Sequence, residues 1–593
     1  MQPKENLIEL RKLMKARGLD AWIVPSADPH QSEYVAAHWQ ARAWLSGFRG
    51  SAGTVVVTSE RAGLWTDQRY HLRAAAELAG SGIERFTLGL PGTPAMLDWL
   101  IQELPRGSLV GFDGSVISAA EAANLEQGLA EKGIATTHQY DLIAELWHDR
   151  PPLPLNPIFL LADSFSGESR ALKLERIRAG MQSLGAQLHL LTGLDDIAWT
   201  MNLRGSDIDY NPLAVCYALV TLQASHLFIE PEKVPGQVRQ ALEGDGVILH
   251  AYSEIDAHLQ RLPAGNAILI DPEKTNVRLR GCIPAECRVI ESQSLPFGMK
   301  TVKNATELEG IRRMHRRDGA ALVRWMCWLD QNLAAGQQTE VSAAEKLEEF
   351  RNQAEHYRGP SFHTIAGYAA NSAVGHYQSD PLTAPSLEPR GIFLIDSGGQ
   401  YLDGTSDITR TLSLGQPSAK QKLAFTTVLK CHIRLASARF PKGTKGMQLD
   451  ALAREPLWRQ GWNCRHGIGH GVGCFLNVHE GPPRFNEVNT TALEAGMLLS
   501  NEPGVYFEGN FGVRIENLLI VVPADPTAFG EFLGFETVSL CPIDLELVEP
   551  ALLEPAEIAW LNSYHRRVRE SLAGLLDEND AAWLKHETRD IRA

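Results

Sequence analysis

The sequence has no apolar run approaching the ~18 residues that cross a bilayer, so no membrane-spanning helix is expected. Its first stretch, MQPKENLIELRKLMKARGLDAWIVPS, lacks the long apolar centre and small-residue cleavage site of a signal peptide. It reads as an amphipathic helix leading into a strand. Basic residues are in short supply: 56 Lys and Arg stand against 71 Asp and Glu, a formal charge of -15. That balance argues against nucleic acid or a membrane as partner, since both reward clustered cations. The eight cysteines are scattered, with no CxxC pair. A thiolate-rich zinc site is therefore excluded, and buried thiols are expected in place of disulfides. A cytoplasmic protein is the consistent expectation.

What is present is a globular composition, 44% hydrophobic and 21% charged over 593 residues. That length is enough for ~3 to 4 domains. Two stretches look alike. One runs RKLMKARGLDAWIVPS, WLSGFRG, GTVVVTSERAGLWTD; the other runs RAGMQSLGAQLHLLTG, WTMNLRG, YALVTLQASHLFIEP. Each reads as helix, buried strand, a Trp-containing turn ending in Arg-Gly, and a strand hairpin. Their spacing, about 165 residues, is too long for a solenoid and predicts two copies of one α/β domain. RPPLPLNP (150–157) predicts an extended linker between them. A second boundary falls near 300, where Asn304 and Glu307 have capping-box spacing. The expected fold class is α/β (α+β), with domains at 1–150, 158–300 and 301–593. The last includes a helical extension from about 541 that is expected to pack or to contact a second subunit.

The suspicious chemistry lies in the third segment. In CRHGIGHGVGCFLNVHEGPP (464–483), His466 and His470 have a helical metal-pair spacing, but the glycines around them argue against a helix. His479-Glu480 begins like a zincin motif, yet Pro483 stands where its second histidine belongs. Upstream, Asp396 ends the apolar run Ile392–Ile395, and Asp407 opens a returning strand eleven residues later. Either could simply form a turn, as Asp403-Gly404 is expected to. Glu502 precedes Pro503-Gly504, and Glu516 follows Arg514 on the same strand face; each alone reads as an ion-paired glutamate. Together, Asp396, Asp407, His470, Glu502 and Glu516 offer four carboxylates and one imidazole. Two divalent cations would balance them, Mn²⁺ first, with Co²⁺, Zn²⁺ or Fe²⁺ as alternatives.

The order D-x10-D, HGIGH, NEPG, RIEN resembles the pita-bread metallopeptidases of family M24. IVPSADPHQSEYVA, SGFRGSAGT, WTDQRY, GHYQSD, FLNVHEGP and WLNSYHRRVRE extend the resemblance to the three-domain cytosolic Xaa-Pro aminopeptidase (aminopeptidase P) branch. The resemblance implies two creatinase/prolidase-like N-terminal domains ahead of a pita-bread catalytic domain, and a homodimer. It implies that Asp396 chelates one metal, that Asp407 and Glu516 bridge both, and that His470 and Glu502 complete the other. His376, His466 and His479 match the three non-ligand catalytic histidines, with His466 lining a proline pocket; Arg514 would orient Glu516. Trp65, Asp67 and Arg69 resemble a further signature, structural or at the rim of a neighbouring site.

The implied reaction releases the N-terminal residue from peptides with proline second. A hydroxide shared by two metals ~3.5–4 Å apart attacks, and Glu502 acts as base. A prolidase restricted to Xaa-Pro dipeptides is the near alternative, and a non-catalytic binding protein the distant one. The glycines of 467–473 are expected to let backbone pass close to the metal centre and bound substrate, with tight turns alone an equal alternative for Gly471 and Gly473.

Overall fold

The computed structural model describes residues 2–592, which form two units. One unit holds residues up to Leu161 and Glu168–Phe297; the other holds Ala162–Gly167 and everything from Gly298.

The first unit contains two six-stranded sheets of identical plan. The first sheet runs Glu84–Thr87, Ala62–Thr66, Thr54–Thr58, Ala21–Val24, Leu109–Phe112, Ala135–Thr137. The second runs Val247–His250, Ser225–Phe228, Tyr217–Thr221, Leu188–Leu191, Ala267–Ile270, Arg288–Glu291. In both, successive pairings are parallel, antiparallel, antiparallel, parallel, parallel. The central strands, AWIV and LHLL, are buried along their whole length, which is why they read as continuous runs and not as alternating ones. His189 is tolerated within LHLL because its Nδ1 bonds the Leu269 carbonyl at 3.2 Å and its Nε2 accepts from the Leu295 amide at 3.3 Å. The Pro-rich stretch 150–157 forms no helix or strand. Asp67 pairs with Arg69 at 2.8 Å and caps the turn that follows the strand Ala62–Thr66, a local structural task.

In the second unit the capping box at Asn304 forms as its spacing requires. Asn304 Oδ1 accepts from the Glu307 amide at 3.1 Å, and Glu307 Oε2 accepts from the Asn304 amide at 3.0 Å. It opens the helix Ala305–Leu333. Three antiparallel strands, Ile365–Tyr368, Ile392–Ser397 and Ile408–Ser413, form one sheet with the middle segment at its centre. A six-stranded sheet includes Glu480–Phe485, Gly469–Gly471, Leu498–Asn501 and Asn517–Thr527 as neighbours in that order. The helices Ala419–Ala436 and Gly446–Arg459 share a core with this sheet, through Phe425, Leu429, Leu457, Leu499 and Leu519.

The C-terminal extension is a packing element. Its helix Pro555–Leu572 sends Ile558, Leu561, Val568 and Leu572 into the same core, each stabilising the unit by ~1.5–3 kcal/mol. Trp560 is only partly buried against that core, and Leu575 stays exposed.

Candidate metal centre

Asp396 lies within the strand Ile392–Ser397, directly opposite Thr409 of Ile408–Ser413, so the two side chains share a face. Asp407, two residues before Thr409, points the same way. His470 occupies the middle of the short strand Gly469–Gly471. Close approach explains the glycines there, though not approach to a metal centre. A Cβ on Gly469 would stand 2.0 Å from the Ser500 carbonyl oxygen, and one on Gly471 2.4 Å from that of Glu480. The expectation that these glycines serve the metal centre is therefore corrected: they let neighbouring strands pack.

The two glutamates sit on a pair of short bridges. Asn501 pairs with Asn517 in the large sheet, and Gly504 pairs with Arg514 in the hairpin Gly504–Phe507/Phe511–Arg514. Between these ladders each strand crosses by two residues, Glu502-Pro503 on one side and Ile515-Glu516 on the other. Glu516 is thus at a junction between two strands and not inside one.

These elements bring ligand atoms of Asp407, His470 and Glu516 within 4.8 Å of one another. His470 Nδ1 donates to the Gly471 carbonyl at 2.9 Å, which turns Nε2 towards Asp407 Oδ2 and Glu502 Oε1, each 3.4 Å away. Asp396 joins the group through Arg514, whose Nη2 donates to its Oδ2. This corrects the expected partner of Arg514: it grips Asp396 directly. It reaches Glu516 only through Thr409, whose hydroxyl accepts from Arg514 Nε at 3.0 Å and donates to Glu516 Oε2 at 2.8 Å. Arg514 and Glu516 are two residues apart along the chain, but the break at Ile515 separates their directions.

Two oxygens in this buried cluster have no partner, Asp396 Oδ1 and Glu516 Oε1. A buried carboxylate oxygen without one is costly. Burial also pushes the pKa of Asp396 up, that of Asp407 up to about 6, and that of Glu516 far up, the last reinforced by Asp407, Glu502 and Asp396. Burial, then His479, lowers His470 to about 4, so its Nε2 presents a lone pair to the carboxylates. Acceptor atoms converging without a cation are what a divalent ion would satisfy. Four carboxylates and one imidazole suit Mn²⁺, Co²⁺ or Zn²⁺, and the residues fit such ions.

The other histidines take different places. The His479 ring meets His470 edge-on, with centroids 4.3 Å apart. His466 Nδ1 donates to the Gly467 carbonyl at 2.7 Å, and its Nε2 accepts from the Tyr506 hydroxyl at 2.8 Å. Tyr506 in turn accepts from Arg514 Nη1 at 2.6 Å. His376 lies in the turn after Ala369–Ala373, which is fastened to the hairpin by Ser372 Oγ accepting from the Gly512 amide at 2.8 Å. Glu480 is held in a buried ion pair with Lys303. Asp403, expected only to form a turn, also pairs with Arg317 at 2.5 Å.

Sequence reasoning missed Tyr506 and Thr409. Both carry a period-two signal: Thr409 is two residues from Asp407, and Tyr506 is two from Gly504, which pairs with Arg514.

Comparison with known proteins gives four matched regions. Residues 309–523 match the metallopeptidase family M24, and 531–591 match the C-terminal region of peptidase M24. Residues 7–146 and 149–307 each match a creatinase/prolidase N-terminal domain. A probable Xaa-Pro aminopeptidase P of Tuber melanosporum is 41% identical, the match covering 99% of this chain and 98% of that one. Aminopeptidase P2 of Arabidopsis thaliana is 39% identical over 99% of this chain and 88% of its own. The crystal structure of X-prolyl aminopeptidase from Caenorhabditis elegans, described as a cytosolic enzyme with a di-nuclear active site, superposes with a TM-score of 0.95. It is 35% identical, with all of both chains covered.

Proposed function

The chain belongs to metallopeptidase family M24, and on that premise we propose that it is an Xaa-Pro aminopeptidase releasing the first residue of peptides whose second is proline. The observation that carries the reading is the buried convergence of Asp407, His470 and Glu516, with unpartnered oxygens on Asp396 and Glu516 beside it. Similarity over the full length of aminopeptidase P relatives supports the same activity over that of a dipeptidase.

Asp396, Asp407, His470, Glu502 and Glu516 would hold two divalent ions, Mn²⁺ first. When bound, such a pair supplies Lewis-acid polarisation and a shared water acidified towards hydroxide at neutral pH. The chain's own residues do the rest. Glu502 takes the proton of the attacking water and passes it to the prolyl nitrogen as the amide breaks. Glu502 is the least enclosed of the carboxylates, its side chain 19% exposed against 6% for Asp407. His376 and His479 donate to the oxygen on which charge develops. His466, its Nε2 occupied by Tyr506, lines the pocket for the ring, where the tertiary prolyl amide asks for no acceptor. Arg514 keeps Asp396 aimed.

The reading extends to domains at 1–150, 158–300 and 301–593, a homodimer, and a cytoplasmic location. The cytosolic description of the Caenorhabditis elegans relative supports the last.

Hydrolysis of Arg-Pro-Pro peptides, with EDTA and with added Mn²⁺, tests the activity. Release of arginine that EDTA abolishes and Mn²⁺ restores is expected; cleavage confined to Xaa-Pro dipeptides would mean a prolidase. Glu502→Gln should lose turnover by ~10²–10⁴-fold, and full activity in that variant would remove Glu502 as base.

A further inference from the structure

The two sheets of the first unit provide an internal comparison. Their hairpins align through pairings of the same spacing, Val57↔Ala62 and Val220↔Ser225, so Gly63 corresponds to His226 and Trp65 to Phe228. On the edge strand, Phe86 lies opposite Trp65 and His250 opposite Phe228. The following helices, Met96–Glu103 and Ile255–Gln260, place Trp99 and His258 over the same face. The rings match in arrangement. Trp65 lies 4.4 Å from Phe86 and 5.1 Å from Trp99, while Phe228 lies 4.7 Å from His250 and 5.1 Å from His258. In the first sheet this spot is an apolar aromatic cluster. In the second, histidines replace Phe86 and Trp99, Phe228 replaces Trp65, and a third histidine stands where the first sheet has Gly63.

Those imidazoles form a nearly equilateral triangle, with centroids 5.2 Å apart for His226–His250, 5.0 Å for His226–His258 and 5.2 Å for His250–His258. A zinc ion about 2.0–2.1 Å from each nitrogen at tetrahedral angles sets ring centres roughly 5.2 Å apart. Two of the nitrogens already face each other, His226 Nδ1 and His250 Nε2 at 3.0 Å. Glu254 Oε2 lies 3.6 Å from the opposite nitrogen of His250, the carboxylate–imidazole arrangement that orients metal-bound histidines. We propose that His226, His250 and His258 form a binding site for a first-row divalent transition ion, zinc being the probe, with Glu254 orienting His250.

Imidazole ligands select Zn²⁺, Cu²⁺ or Ni²⁺ over Mg²⁺ and Ca²⁺, and the carboxylate-rich centre of the other unit has the reverse bias towards harder ions. Binding replaces the hydrogen between His226 Nδ1 and His250 Nε2 with the ion, and the neutral imidazole that carried it takes it on its other ring nitrogen, so no net proton is released. It also requires the half-exposed His258 ring to turn about its Cβ–Cγ bond. Among the described residues, only Asp407, His470 and Glu516 already hold three such ligand atoms within 4.8 Å. The torsion involved is a soft one. Burial and the two neighbouring imidazoles lower His226 to about 4, and burial and His250 lower His258, so both are neutral and ready to bind near neutral pH. The charged groups facing the cluster are Glu254 and Arg261.

The test is equilibrium dialysis of the full-length chain, saturated with Mn²⁺, against micromolar Zn²⁺, with bound metal counted per chain. Wild type should hold one more equivalent of Zn²⁺ than His258→Gln, while both hydrolyse Arg-Pro-Pro at the same rate. Glu254→Gln, at a side chain 58% exposed and outside the ring cluster, should retain the equivalent but bind it ~10–100-fold more weakly. Loaded with Co²⁺, wild type should show the visible band of a tetrahedral nitrogen site that His258→Gln lacks. Equal zinc content in wild type and His258→Gln, or equal zinc affinity in wild type and Glu254→Gln, would overturn the proposal. Because the count is independent of turnover, it stands or falls apart from the aminopeptidase reading.

Discussion

Replacing Arg514 with lysine separates the charge of this residue from its shape. The guanidinium uses three different nitrogens: Nη2 on Asp396, Nε on Thr409 at 3.0 Å and Nη1 on Tyr506 at 2.6 Å. Lysine keeps the charge but has one nitrogen, which Asp396 will claim. Two hydrogen bonds from a charged donor are lost, each worth about 1.5–3 kcal/mol gross, part of which water entering the space returns. The damage passes to the ligands, because Thr409 holds Glu516 at 2.8 Å and Tyr506 holds His466 at 2.8 Å. Support of this kind is worth ~10–100-fold in metal affinity, or about 1.4–2.7 kcal/mol. The expected result is a rise of that size in the free Mn²⁺ needed for half-maximal hydrolysis of Arg-Pro-Pro, matched by weaker Mn²⁺ retention on dialysis. Turnover at saturating Mn²⁺ should recover in large part. Arg514→Met, which also leaves Asp396 Oδ2 buried and unpaired, should lose more. A Mn²⁺ dependence in Arg514→Lys within about twofold of wild type would refute the reasoning, since that is below the effect of even one supporting bond.

Three further outcomes are expected. Lys303→Met leaves the Glu480 carboxylate buried without its cation and should cost about 3–5 kcal/mol in denaturant unfolding, largely regained in Lys303→Met/Glu480→Leu; a double variant as unstable as the single would reject the pairing. Asp407 has a folded pKa of about 6, above its unfolded value of ~3.9, so the folded metal-free chain binds the extra proton. In EDTA, wild type should therefore lose stability relative to Asp407→Asn as pH rises from about 4 through 6, the comparison cancelling the opposite trend of the buried neutral histidines; a wild-type-minus-variant difference in thermal unfolding that is flat or rising over the window would contradict it. Tyr506→Phe deletes the donor to His466 and the acceptor for Arg514, and kcat/KM should fall ~2–10-fold, the worth of about one hydrogen bond.

Much of this was legible in the residues, for physical reasons. The duplicated sheets could be read because a strand buried on both faces is nearly all apolar, as AWIV is and LHLL is apart from His189. The start of the helix Ala305–Leu333 could be read because a capping box is a local, stereochemically fixed device. The cluster around His470 could be suspected because carboxylates at the ends of apolar runs need a compensating charge. What could not be read is direction. A spacing of two residues along one strand suggested that Arg514 serves Glu516, but the chain changes ladder at Ile515, and the contact goes to Asp396, which is distant in sequence. Nor could the glycines of 467–473 be assigned, because their neighbours, the carbonyls of Ser500 and Glu480, lie across strand pairings that only the fold defines.

The paired bridges at Glu502-Pro503 and Ile515-Glu516 bear on how the chain can change length. Each is clamped at both ends by a ladder in fixed register, Asn501↔Asn517 on one side and Gly504↔Arg514 on the other. One added residue in either bridge would invert the side-chain alternation of everything beyond it and carry its glutamate to the wrong face. The hairpin tip at Glu508 and Gly509 is exposed and carries no such constraint. Insertions, tags or binding epitopes can therefore be grafted at 508–509, while six residues away on either side, at Glu502 or Ile515, the same edit, a single codon long, would scramble the centre. Within one hairpin, tolerance to insertion runs from nearly free to none.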